Sequence, residues 1–153
     1  MIIIIEGPDG SGKTTLANTL SKQTGYPVVH RSQPKSEEEK RQMMQQYIDA
    51  IVTGKNMIFD RCWYSEMVYG PIMRDNSVIT YPEMYLLEAK LAKRGALIIY
   101  CTDDPKTLWK RATRRGEDYI TDYETFERIC AGFDALMSVP HHIPVVKYGY
   151  EEV

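Results

Sequence analysis

Apolar residues gather in five short blocks: "IIII" at 2–5, "YPVVH" at 26–30, "NMIFD" at 56–60, "ALIIYC" at 96–101 and "IPVVKY" at 143–148. These blocks are rich in β-branched residues and too short for helices. They predict strands, and the unbroken isoleucines predict a strand covered on both faces. Between them lie polar stretches of helix-favouring composition: "GKTTLANTLSKQT", "SEEEKRQMMQQYIDAIVTG", "YPEMYLLEAKLAKRG", "DPKTLWKRATRRG" and "DYETFERICAGFDALM". In the second stretch Met43, Met44, Tyr47, Ile48 and Ile51 recur at steps of three and four. Ser36 stands before three glutamates as a cap, and Gly54 stands as the stop. Alternating strands and helices predict a parallel sheet with helices on both faces and ligands at the C-terminal ends of the strands.

Composition narrows the setting. A chain of 153 residues with 43% hydrophobic and 26% charged residues fits one soluble globular domain, residues 1–153. A net charge of −2 gives no polyanion-binding face, so stable nucleic-acid binding is not expected and small-molecule ligands are. Cys62, Cys101 and Cys130 are odd in number and lack CxxC spacing, which speaks against disulfides and zinc and for a reducing cytoplasm. His30, His141 and His142 show no metal-ligand spacing either. The first apolar run is too short to span a bilayer and has no basic residues before it, so no membrane anchor is expected. A homodimer is left open.

Candidate chemistry starts where the isoleucines end. Gly7-Pro8-Asp9-Gly10-Ser11-Gly12-Lys13-Thr14 satisfies GxxxxGK[ST], with a buried strand before it and a helix after it. Loop amides turned inward, together with the helix N-terminus, suit the phosphates of ATP. Lys13 would reach the β and γ phosphates, Thr14 would hold Mg²⁺, and Ser11 and Thr15 flank them. This is the P-loop NTPase fold: α/β, with a five-stranded parallel sheet flanked by helices. Asp60 and Arg61 follow the third apolar block and would project toward the same phosphates, Asp60 as an outer Mg²⁺ ligand and Arg61 as a planar fork.

In "DRCWYSEMVY" the residues Asp60, Arg61, Ser65 and Tyr69 stand at the spacing DRxxxSxxxY. With Asp9 in the loop, the chain resembles the thymidylate kinase family of nucleoside monophosphate kinases. That resemblance implies that Arg61 binds the acceptor phosphate, that Tyr69 lies beside the deoxyribose, and that Asp9 accepts a bond from the 3′-hydroxyl. "DDPKTLWKRATRRGEDYIT" resembles that family's lid through Asp104, Pro105, Leu108, Arg111, Arg115, Gly116 and Asp118, giving an arginine-containing lid at about 111–121. The pairing of Gly10 with Arg114 and Arg115 fits versions that supply the catalytic arginine from this lid.

The second apolar block ends in "VVHRSQP", with Arg31 and no carboxylate before Glu37. A phosphate acceptor is already an anion and needs neutralisation, whereas a hydroxyl acceptor benefits from a base. Arg31 therefore favours a monophosphate, and Arg41 and Tyr47 are candidates to read its base, Tyr47 being equally placed for the core. The expectation is a kinase converting dTMP to dTDP with Mg-ATP. Its rivals are a kinase of a deoxynucleoside, or of a hydroxyl on a polynucleotide or modified base, with Asp60 or Asp9 as base. A nucleotide switch would need an NKxD motif, which is absent.

Overall fold

The computed structural model describes residues 1–31, 35–74, 79–116, 120 and 122–149. Five parallel strands form one sheet: β1 (Ile2–Glu6), β2 (Val28–His30), β3 (Met57–Asp60), β4 (Ala96–Cys101) and β5 (Val145–Tyr148), in the order β2-β3-β1-β4-β5. All five expected strands are present. The helices are α1 (Lys13–Thr24), α2 (Glu37–Thr53), α3 (Trp63–Arg74), α4 (Tyr81–Arg94), α5 (Pro105–Arg114) and α6 (Tyr123–Ser138).

The isoleucine block is central because both of its faces are needed. Ile2 and Ile4 pack into the larger core with α2, α3, α4 and α6, while Ile3 and Ile5 lie under α1 beside Ala17 and Ile58. Full burial of such a side chain contributes about 1.5–3 kcal/mol, which favours this segment as the middle strand. Register then positions the chemistry: Ile5 pairs with Asp60, and His30 pairs with Asp60 from the other side. The loop after β1 is thereby set beside residues 60–61.

Helix ends follow the local signals. The Ser36 hydroxyl accepts from the Glu39 amide, and Gly54 ends α2 in the left-handed conformation. Thr80 and Glu83 form a reciprocal capping box on α4. The Asp104 side chain accepts from the amides of Lys106 and Thr107, with Pro105 at the first helical position, so "DP" serves as the start of α5.

The helix α3 is not among the polar stretches expected to be helical. Gly70 and Pro71 interrupt its pattern, and Pro71 sits inside the helix. Packing and a borrowed cap offset that weakness. Gly132 of α6 lets the two helices approach, since a Cβ there would lie 2.9 Å from Val68.

A second buried network ties α3 and α4 to the segment after α6. Glu88, fully buried, accepts from the Tyr64 hydroxyl at 2.6 Å and from the His142 amide at 2.9 Å, and it faces His141 Nδ1 at 2.6 Å. His141 Nε2 faces the Leu136 carbonyl at 2.8 Å. A carbonyl only accepts, so both ring nitrogens are placed to donate. No described helix is long and apolar enough to cross a membrane.

Candidate active site

The loop after β1 wraps around its own lysine. Lys13 Nζ donates to the Pro8 carbonyl at 2.8 Å, and Ser11 Oγ donates to the same oxygen at 2.6 Å. Burial, followed by the charge of Arg61, pushes the Lys13 ammonium down to about 8 from its ordinary 10.5. Gly10 adopts φ +79, and a Cβ there would collide with the Leu108 carbonyl and stand 3.1 Å from the Ala112 nitrogen. The glycine after the loop carboxylate is therefore the point where α5, the arginine-bearing helix, rests on the phosphate loop.

Asp9 has the compensating partner that an acid in this position needs. Arg61 Nη2 donates to Asp9 Oδ1 in an ion pair, both side chains being about one-fifth exposed. The Arg61 guanidinium lies over the Tyr69 ring, 5.4 Å from its centroid, and Nη1 donates to Ser65 Oγ at 3.3 Å. Arg61 is also the described non-glycine residue with positive φ, at 74°. A backbone in that region is uncommon and points to a turn held by its surroundings.

Thr14 Oγ1 donates to Asp60 Oδ2 at 2.8 Å, and His30 Nδ1 contacts the same oxygen at 2.8 Å. A hydroxyl and a carboxylate facing each other at the rim of a phosphate cavity suit Mg²⁺, which takes one or two protein oxygens alongside phosphates and water. Thr14 and Asp60 are therefore the residues fitted to hold it. Among the described residues no group of three His, Cys, Asp or Glu could hold a metal.

These side chains enclose a cavity of about 220 Å³ lined by Asp9, Gly10, Gly12, Lys13, Thr14, His30, Arg31, Asp60, Arg61 and Arg115. Lys13, Arg31, Arg61 and Arg115 thus meet two carboxylates in one polar space. Arg31 also stacks on Tyr47, 5.5 Å from its centroid. Tyr47 itself is buried against Phe59 and Trp63, which makes it a core residue, with its hydroxyl lacking a bond.

Other expected residues stand further off. Arg41 is 77% exposed and 3.9 Å from Glu38, outside the cavity lining. Its place on α2 is one step past buried Lys40, which turns it about 100° away from the packed face. It is corrected from base reader to a surface residue. Ser65 is buried and bonded to protein atoms rather than open to an acceptor. Thr15 is exposed on α1, and its carbonyl accepts from Thr19. Arg111 pairs with Asp103 at 3.3 Å, and Arg114 is exposed at the end of α5. Asp118 and most of the lid beyond Gly116 lie outside the described residues.

Two residues escaped the sequence reading. Glu6 closes β1 with no exposure, and it accepts from the Cys62 amide at 3.1 Å, the Ser65 amide at 2.8 Å and the Ser65 hydroxyl at 2.6 Å. Burial pushes its carboxyl up to about 7, against those bonds and the charge of Arg61. A lone charge at the end of an all-apolar strand was the available signal. His30 was legible only through the register that sets it opposite Asp60.

Comparison with known proteins places this geometry. The family model for polyphosphate kinase 2 (PPK2) matches residues 1–128. The SPbeta prophage-derived protein YorR of Bacillus subtilis is 33% identical over 119 residues, covering 78% of this chain and 72% of YorR. The crystal structure of YorR in complex with phosphorylated GDP aligns with a TM-score of 0.80 and 27% identity, over 97% of this chain and 85% of that one. Two further structures share the fold at lower identity. Deoxyadenosine kinase from M. mycoides with bound dATP aligns at TM-score 0.62 and 19% identity, over 96% of this chain and 91% of its own. PPK2 from Arthrobacter aurescens TC1 aligns at 0.74 and 14%, over 95% of this chain and 59% of its own.

Proposed function

The chain belongs to the polyphosphate kinase 2 (PPK2) family of P-loop kinases, and we propose, from the site itself, that it transfers the γ-phosphoryl group of Mg-ATP to a deoxynucleoside monophosphate, dTMP to dTDP being the leading reaction. The supporting observation is the charge of the cavity. Four cations converge there, while Asp9 is engaged by Arg61 and Asp60 by Thr14 and His30. Such a site is equipped to gather two phosphate groups, and among the described residues that line it no carboxylate is disengaged to serve as a base. A monophosphate acceptor needs no such base.

The loop amides and Lys13 hold the donor phosphates, and Thr14 and Asp60 would hold Mg²⁺ beside them. When bound, the ion neutralises charge on the β and γ oxygens. Arg61 exchanges Asp9 for the acceptor phosphate, assisted by Arg31, while Asp9 turns to the sugar hydroxyl. Arg115, with Arg111 and Arg114 on the same helix end, stabilises the charge of the transferring group. Transfer is in line and depends on positioning and electrostatics.

A second reading, phosphorylation of a deoxynucleoside or of a hydroxyl on a polynucleotide or modified base, is favoured by one contact. His30 against Asp60 forms a His–carboxylate pair on the acceptor side, and deoxyadenosine kinase shares the fold. A coupled assay separates the two. ATP is offered with dTMP, the other common monophosphates, GDP (because YorR was solved with phosphorylated GDP) and each nucleoside. A parallel arm replaces ATP by inorganic polyphosphate, the donor that the family's name suggests. Turnover of nucleosides with none of any monophosphate overturns the proposal.

A further inference from the structure

We propose that Glu6 is a positioning residue for Arg61, acting from β1 through Ser65 and the first turn of α3. This rests on the reading that Arg61 grips the acceptor phosphate. Three observations carry it. First, the carboxylate reaches the guanidinium through one shared atom: Glu6 Oε1 accepts from Ser65 Oγ at 2.6 Å, and that same Oγ accepts from Arg61 Nη1 at 3.3 Å.

Second, Glu6 Oε2 accepts the amides of Cys62 and Ser65, at 3.1 and 2.8 Å. Both amides stand at the start of α3, where no carbonyl one full turn back is available and the Ser65 amide has a weaker 3.2 Å contact to the Cys62 carbonyl, so a strand residue supplies the side-chain cap. Third, Arg61 lies between these anchors in the left-handed conformation, its own amide donating to the Ile5 carbonyl at 3.0 Å. The turn is pinned on both sides by consecutive residues of β1, Ile5 by its backbone and Glu6 by its side chain.

A plain cap would not need a charge. A buried carboxylate is costly to desolvate, and a neutral amide could accept the same two N–H groups. What the ionised carboxylate adds is orientation of the Ser65 hydroxyl: in that form Glu6 can only accept, so Ser65 donates to it and its lone pairs are left facing Arg61. A glutamine side chain in place of Glu6 would donate to Ser65 instead and leave the Ser65 proton without a partner. The guanidinium would then lose its fixed bearing. Glu6 thus links the strand that carries the phosphate loop to the arginine that faces the second substrate.

The test uses Glu6→Gln, Ser65→Ala and the double variant, with Arg61→Ala alongside. The acceptor is dTMP, or the monophosphate that ranks first in the survey above. Acceptor KM and kcat come from steady-state assays, ATP affinity from calorimetry, and fold integrity from the thermal midpoint. Each single variant is expected to raise acceptor KM about tenfold or more, as misplacement of a binding group does, while ATP affinity stays within about twofold. Because both act along one line, the double variant should be no worse than the poorer single. Independent, multiplying losses overturn the proposal, as does a parallel loss of ATP affinity and thermal midpoint. Should Glu6→Gln fail to fold, Ser65→Ala alone must still show the selective acceptor loss. Arg61→Ala distinguishes the two levels. An unchanged acceptor KM there sinks the grip by Arg61, whereas a raised KM with normal Glu6→Gln and Ser65→Ala sinks only the positioning role.

Discussion

Replacing Gly10 by Ala should damage this protein by an amount that can be worked out from two terms. Gly10 has φ +79, and an L side chain in that region costs about 1–2 kcal/mol. Its Cβ would also strike the Leu108 carbonyl, with Ala112 nitrogen at 3.1 Å and Arg111 Cβ at 3.3 Å. Backbone cannot rotate away as a flexible side chain can, so overpacking adds about 1–3 kcal/mol. Gly25 supplies the control: its φ is +76, and nothing lies within 4 Å of a Cβ there. Gly25→Ala bears the first term and escapes the second. In urea titrations Gly10→Ala should therefore unfold with a midpoint lower than that of Gly25→Ala by about 1 M. Gly10→Ala should also lower kcat, because relief of the clash moves α5 and the arginines at its end. Equal midpoints for the two variants would refute the reasoning, since the contact between α5 and the loop would then carry no energy.

Arg61→Ala should raise acceptor KM by about tenfold to a hundredfold, the range for loss of a hydrogen-bonded charge, as steady-state kinetics can check. Asp9→Ala should raise acceptor KM while ATP affinity, measured by calorimetry, changes less than about twofold; the opposite pattern would leave Asp9 a plain turn residue. The Glu88–His141 pair should shape stability against pH. Burial opposes it, but bonds from Glu88 and the Leu136 carbonyl raise His141 above its ordinary 6.5, and bonds from His141 and Tyr64 hold Glu88 below 4.5. The raised histidine contributes fully below 6.5 and loses that contribution as pH climbs through its folded value. The lowered glutamate contributes fully above 4.5 and loses it as pH falls. Their joint contribution is therefore complete between those values. His141→Ala should lose about 3 kcal/mol near pH 6 in urea titrations, with a smaller deficit at higher pH. A deficit constant across that range would exclude the charged pair.

The fold was legible in the sequence because its signals are local. Five apolar blocks, the cap at Ser36, the stop at Gly54 and the loop from Gly7 to Thr14 each depend on neighbours in the chain. The helix α3 was not legible, because Gly70-Pro71 reads as a break and its compensations come from Glu6 in β1 and Gly132 in α6. The site divided along the same line. Lys13, Thr14, Asp60 and Arg61 were proposed from motifs, Arg31 from its position after β2, and Arg115 from the lid resemblance; all six line one cavity. His30 became visible only with the strand register, and Arg41, a candidate from its place on α2, stands exposed and outside the cavity lining. Gly10 was linked to the lid through a family resemblance, whereas the physical constraint on it, the seat of α5, lies in a contact with Leu108 far along the chain.

The pairing of Asp9 with Arg61 means that the arginine never waits as a bare cation. A guanidinium open to solvent would attract chloride, sulfate or the tail of a stray triphosphate, each of which would have to leave before an acceptor entered. Here the protein supplies its own tethered counter-ion, held by only a short aspartate side chain in a glycine-rich loop. An anion can win the exchange only if it brings enough charge and a shape that fits the fork, so weak monovalent anions are screened out before catalysis begins. On the proposed reading, the loop that binds the donor would also keep the acceptor's place.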